Sequence, residues 1–70
     1  MTWTDVRTHW RPLRDQMQTT WSKLTDGDID AIAGRRERLI EALQKRYGLD
    51  RGEAMGQADS FVRSLQVLSL

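Results

Sequence analysis

Three aspartates stand at alternate positions, Asp26, Asp28 and Asp30, and Glu37 follows eleven residues after the first. This is the spacing of an EF-hand calcium loop, which takes oxygens from positions one, three, five and twelve. Such a loop also needs a sharp turn at position six, where glycine is usual, and here that position is Ala31. A helix start accounts for more of the same residues. Thr25 is a good N-cap, and Asp28 three residues on closes a capping box back onto it. Leu24 before the cap and Ile29 at the fourth helical position form a hydrophobic staple. Asp26 and Asp28 then lie in the first turn, where the helix dipole favours negative charge. The helix start is preferred, and a strong calcium-dependent rise in melting temperature would reverse that choice.

Other chemistry is thinly represented. Nucleophilic catalysis needs a nucleophile, a base and an orienting group. The single histidine is His9, and there is no cysteine. His9 follows Asp5 by four residues, which suggests a local surface ion pair. A zinc site usually draws four ligands from His, Cys and carboxylates, and His9 has no His or Cys companion. No P-loop or GxGxxG run is present, so no cofactor is expected. The tryptophans Trp3, Trp10 and Trp21 could stack bases or a sugar. Trp10 and Trp21 share helical faces with Leu13 and Met17, which assigns these two to the core. Trp3, near the terminus, is expected to be partly exposed. Arg35, Arg36 and Arg38 cluster and could bind an anion, although a solvated helix face is the preferred reading.

The chain has 70 residues, which is one domain over 1–70. Eleven basic residues face ten acidic ones, a net charge of +1. That balance argues against a dedicated nucleic-acid or membrane-surface binder. The absence of cysteine excludes disulfides and suggests a reducing compartment. No apolar run reaches the roughly 18 residues of a membrane span. The first ten residues lack the basic-then-apolar layout of a signal peptide. The expected location is the cytoplasm.

The elements that must position these residues are helices, since apolar residues recur at three- and four-residue spacings and nothing reads as a strand. Residues 2–10 put Trp3, Val6 and Trp10 on one face of a short helix, with Thr2 and Asp5 forming a small capping box. Pro12 suits a first helical position and pushes Arg11 out of the α region. A helix is therefore expected over 12–23, with a kinked continuous helix from Trp3 as the alternative. The helix capped by Thr25 buries Ile29, Ile32 and Ala33, and Gly34 supplies its left-handed end. The next runs over 35–47 on Leu39, Leu43 and Tyr47, with Ile40 and Arg36 beside them and Glu41 and Lys45 as an i, i+4 pair. Gly48 ends it, with Leu49 folding back towards Leu43. Asp50 caps the last helix, with Glu53 completing the box and Leu49 and Ala54 forming a staple. Its stripe is Ala54, Ala58, Phe61 and Leu65, flanked by Met55 and Val62. Gly52 and Gly56 project away from that stripe, beside Asp59 and Arg63. They are either tolerated in solvent or admit a partner helix closely. The apolar tail, with Val67, Leu68 and Leu70, either frays over 65–70 or docks on this domain or on a second copy.

Trp10, the run WSKLTDGD from Trp21, AGRR from Ala33 and LQKRYG from Leu43 together resemble the CsbD-like family of small bacterial general stress-response proteins. The resemblance spans residues 10–48 without a gap. It rests on Trp10, Trp21, Leu24, Thr25, Asp26, Asp28, Gly34, Leu39, Tyr47 and Gly48, which the residue-level reading treats mostly as core and caps. Pro12, Ser22 and Gly27 depart from the family pattern, as does the preference for Arg over Lys. The resemblance implies an all-α, compact four-helix, SAM-domain-like mini-bundle, expression tied to stress and a cytoplasmic location; it implies no activity, since the family has no established enzymatic role.

The expected function is therefore association with another protein or with itself. The candidate surface comprises Arg35, Arg36, Arg38, Gly52, Gly56, Leu68 and Leu70. The alternative is weak nucleic-acid binding through Arg35, Arg36 and Arg38, which the near-neutral charge disfavours.

Overall fold

A computed structural model describes residues 2–68 of the chain, with side chains through Leu65. Five helices follow one another: α1 Trp3–Thr8, α2 Trp10–Thr20, α3 Asp26–Ile32, α4 Arg36–Tyr47 and α5 Arg51–Leu68. The all-α mini-bundle expected from the periodicity is what forms, with the short N-terminal segment as a helix of its own.

Local chemistry sets the boundaries. Thr2 caps α1, accepting from the Asp5 N–H at 3.3 Å while Asp5 accepts from the Thr2 N–H at 3.0 Å. Thr25 and Asp28 repeat this box at α3, both bonds at 3.1 Å. Leu24 and Ile29, the staple pair, are buried. Asp50 accepts the Glu53 N–H at 2.7 Å at the start of α5. Gly48 closes α4 in the left-handed region at φ 65°.

Two boundaries and one side-chain pair differ from expectation. The second helix begins at Trp10 and ends at Thr20, so Pro12 lies at its third position. Proline lacks an N–H, and its ring clashes with the carbonyl four residues back. That carbonyl belongs to Thr8, and the chain breaks at the next residue, His9, with φ −108° and ψ 43°. The short helix expected over 2–10 thus forms as a separate element, and the helix expected from Pro12 starts two residues earlier. The end of α3 is the second correction: Ala33 is its left-handed C-cap at φ 48° and is not part of the buried stripe, and Gly34 continues left-handed at φ 77°. Thirdly, Glu41 and Lys45 form no ion pair among the described residues.

Gly34 is buried for a separate reason. A Cβ there would stand 2.9 Å from the Arg7 Cα and 3.2 Å from its backbone nitrogen. α1 therefore crosses the α3–α4 junction at a separation only glycine permits. The core comprises Val6, Leu13, Met17, Trp21, Leu24, Ile29, Ile32, Leu39, Ile40, Leu43, Ala54, Ala58, Phe61, Val62 and Leu65, with no buried polar residue among those described. Trp3, Trp10, Tyr47, Leu49 and Met55 pack on its edge. Trp10 is thus half-buried, not enclosed as expected. α5 packs chiefly on α4. The Cα radius of gyration, 11.0 Å, matches the roughly 11 Å expected of a folded chain this long. No described helix is long and apolar enough to cross a membrane.

Candidate interaction site

The expected arginine cluster does not act as one group. The Arg36 guanidinium binds the Asp59 carboxylate through two bonds, at 3.0 and 3.3 Å, joining α4 to α5. Arg36 holds Asp59 below the ordinary aspartate range, with smaller help from the Trp3 side chain. Arg38 donates to the Ala31 carbonyl at 2.9 Å, satisfying an acceptor left open near the end of α3. Arg35 occupies the N-cap position of α4 with no side-chain capping bond, and it is exposed. Other arginines are paired as well: Arg46 with Asp28 at 2.7 Å, Arg51 with Glu37 at 2.7 Å and Arg14 with Asp30 at 2.6 Å.

The aspartates of the opening motif are thereby assigned. Asp28 accepts from Arg46 and from the Thr25 N–H, and Arg46, as the larger cause, lowers its pKa. Asp30 faces α2 through Arg14. His9 does not pair with the Asp5 carboxylate; its Nδ1 lies 3.2 Å from the Asp5 carbonyl oxygen, because Thr2 already engages that carboxylate. The Thr2 backbone N–H is the main cause that lowers the Asp5 pKa. Hydroxyls of Thr8, Thr19 and Thr20 donate to the carbonyls of Thr4, Asp15 and Gln16.

The two glycines of α5 divide. A Cβ on Gly52 would meet the capping Oδ1 of Asp50 at 3.4 Å, whereas one on Gly56 would meet nothing within 4 Å. Gly56 lies on the wall of a groove of about 630 Å³ between the end of α2 and α5. Trp21, Phe61 and Leu65 form its apolar floor, and Gln16, Thr20, Glu53, Gln57, Ser60 and Ser64 its polar rim. The floor is held in place: the Trp21 indole N–H donates to the Gln57 Oε1 at 2.9 Å, and its ring meets Phe61 at 5.2 Å, tilted by 48°. The Leu68 side chain and Leu70 lie outside the described residues.

Sequence reading identified Gly56 but assigned Trp21, Phe61 and Leu65 only to the core. The one signal available was the row Gly52, Gly56, Ser60 and Ser64, small residues at four-residue spacing along one side of α5. That α2 faces this row, through a Trp21–Gln57 bond 36 residues apart, requires the tertiary arrangement.

Three curated relatives share the sequence pattern. UPF0337 protein RPA4217 of Rhodopseudomonas palustris is 35% identical over 66 residues, 94% of this chain and 100% of the relative. UPF0337 protein YjbJ of Escherichia coli O6:H1 is 34% identical over 53 residues, covering 76% and 77%. The chain belongs to the UPF0337, or CsbD-like, family. A third relative, UPF0337 protein NE2439 of Nitrosomonas europaea, is 38% identical over 61 residues, 87% of this chain and 65% of the relative. The chain thus spans about two thirds of that relative's length. No family model and no solved structure matches the sequence. The names of these UPF0337 relatives state no activity, substrate or partner. The Trp21 groove is the feature from which a function can be argued on geometry.

Proposed function

We propose that this UPF0337 protein is a non-enzymatic, cytoplasmic bacterial stress-response protein that acts by association, with a second copy of itself seated in the Trp21 groove. The observation that carries this reading is the apolar floor of Trp21, Phe61 and Leu65 beside Gly56, where an added Cβ would meet nothing within 4 Å. Helices pack by setting ridges at four-residue spacing into matching grooves. The row Gly52, Gly56, Ser60 and Ser64 on α5 is flat enough to serve as both ridge and groove. A two-fold contact uses the same patch on both partners, and α5 supplies both halves. The rim carries one charged side chain, Glu53, and the whole chain carries +1, so little repulsion opposes pairing. A contact confined to this groove falls in the size class of transient interfaces.

The non-catalytic part of the reading is supported by how the polar groups are used. Thr2, Asp5, Thr25, Asp28 and Asp50 bond backbone N–H groups at helix starts. Asp30, Glu37 and Asp59 hold arginines. The stress role is supported by membership of the CsbD-like family.

Sedimentation equilibrium over roughly 10 µM to 1 mM, the range of transient contacts, tests the association. Reversible dimerisation is expected, abolished by Gly56→Leu. The same substitution should raise monomer stability, by up to about 0.8 kcal/mol, since it replaces a helical glycine on an open surface. A strict monomer throughout, or a dimer indifferent to Gly56→Leu, overturns the proposal.

A further inference from the structure

The crossing of α1 over Gly34 brings together residues far apart in sequence. Arg7 on α1 comes to lie against the α3–α4 junction, where Arg35 stands exposed. Two adjoining grooves result, of about 400 and 410 Å³, and both are lined by Arg7 and Arg35. The first adds Trp3, Arg36, Glu37 and Arg38; the second adds Thr4, Thr8 and Ala33.

The charge here is far from the chain average. Among the described residues, no hydrogen bond or ion pair joins Arg7 or Arg35 to a carboxylate, and Arg38 bonds only a backbone carbonyl. Glu37, the one acid in the lining, is already matched by Arg51. The Arg36 guanidinium is matched by Asp59. The two grooves therefore keep three uncompensated positive charges, while the whole chain carries +1. A whole-chain net charge hides this segregation, which is why the sequence disfavoured an anionic partner.

Trp3 adds an aromatic surface. It is half-buried, packs on the core edge and lines the first groove with Arg7 and Arg35. The ring thus rests against the core, beside cations, at the wall of a groove. Fixed aromatic rings along a cationic groove bind single-stranded nucleic acid: bases stack on the ring and arginines meet the phosphates. One phosphate would need one such pocket. Two grooves sharing Arg7 and Arg35 suit a ligand that continues.

The geometry points to a single-stranded nucleic-acid site along these two grooves, with Trp3 stacking a base and Arg7, Arg35 and Arg38 contacting phosphates. The site lies apart from the Trp21 groove and shares no lining residue with it.

The test is fluorescence anisotropy with the full chain and a labelled oligothymidylate about 12 nucleotides long, at roughly 20 mM salt. Binding is expected in the micromolar range, with Trp3 quenched. Three phosphate contacts on a single strand give a slope of log affinity against log salt of about −2, so raising salt fivefold weakens binding about 30-fold. Arg7→Gln and Arg35→Gln should each reduce the slope by about 0.7. Trp3→Leu should weaken binding about tenfold, and Trp3→Phe should restore most of it, because stacking needs a ring and not the indole N–H. Helical circular dichroism at the assay temperature confirms that each variant is folded, and Arg35, exposed and bonded to nothing through its side chain, leaves the fold unaffected. Three competitors separate the alternatives. A duplex of equal length bound as tightly as the single strand overturns the proposal, as does equal competition by thymidine 5′-monophosphate or binding to phosphatidylserine vesicles in place of the oligonucleotide. No anisotropy change up to about 100 µM protein at low salt, or a salt slope unchanged by both arginine substitutions, also overturns it.

Discussion

Replacing Gly34 by alanine separates two reasons for a glycine, because Gly48 provides the matched control. Both are left-handed, at φ 77° and 65°. Alanine at either position meets the left-handed penalty of about 1 kcal/mol. At Gly48 that is all, since a Cβ would meet nothing within 4 Å. At Gly34 the new methyl would also stand 2.9 Å from the Arg7 Cα and 3.2 Å from the Arg7 nitrogen. Both are backbone atoms, so α1 itself must shift. Lifting α1 forfeits chiefly the burial of Val6, its one fully buried side chain, worth about 1.5–3 kcal/mol. Gly34→Ala should therefore cost about 2.5–4 kcal/mol and Gly48→Ala about 1. Against a domain stability of roughly 4–10 kcal/mol, both costs are large enough to read by urea denaturation. Near 4–8 °C per kcal/mol for a domain of this size, melting should drop about 5 °C for Gly48→Ala and more than about 10 °C for Gly34→Ala. In a Val6→Ala background the Gly34→Ala cost should shrink, because the docking it disturbs is already weakened. Equal costs for the two glycines, or full additivity with Val6→Ala, would refute the α1 crossing.

Further outcomes follow from the caps, the core and the carboxylates. Thr25→Ala should cost about 1 kcal/mol by removing the α3 cap, read from urea midpoints, and Thr25→Ser should restore most of it. Leu43→Ala, at a fully buried position, should cost about 2–5 kcal/mol, with a lower urea midpoint than any cap variant. Stability should fall in acid. Asp59, Asp28 and Asp5 all hold pKa values below the ordinary aspartate value, through Arg36, Arg46 and the Thr2 N–H respectively. A depressed folded pKa gives stability that is present above the unfolded value near 4 and lost as pH falls through the folded one. Urea midpoints should hold from pH 7 to about 5 and decline below about pH 4. Asp59→Asn should lower the midpoint at pH 7 and flatten that decline.

Much of the fold was legible because its punctuation is local. Thr2, Thr25, Asp50 and Gly48 act within three or four residues of themselves, and each does what its neighbours imply. The stripe of α5 was readable for the same reason, since Ala54, Ala58, Phe61 and Leu65 repeat at helical spacing. Pro12 was misread by its favoured position. It tolerates the third helical residue as well as the first, and its effect falls on the Thr8 carbonyl four residues back. Gly34 was credited with the role of Ala33 because a glycine is the usual left-handed residue, and its contact with Arg7 is invisible without the tertiary crossing. The candidate surfaces were the least legible. Arg36 and Asp59 are 23 residues apart, as are no two groups that local rules pair. Adjacent arginines in sequence consequently part company, while Arg7 and Arg35 meet. Trp21 and Gly56 were each noted, but the groove joining them belongs to the packing of α2 on α5.

The most direct test of association through the Trp21 groove is the indole N–H region of a proton–nitrogen correlation spectrum, followed on dilution. Three tryptophans give three signals, and only Trp21 lies in the groove, its N–H bonded to Gln57. The account predicts that the Trp21 signal moves with protein concentration while those of Trp3 and Trp10 stay still, and that Gly56→Leu stops the movement. A Trp21 signal unchanged over roughly 10 µM to 1 mM, or dilution shifts confined to Trp3 or Trp10, would contradict it.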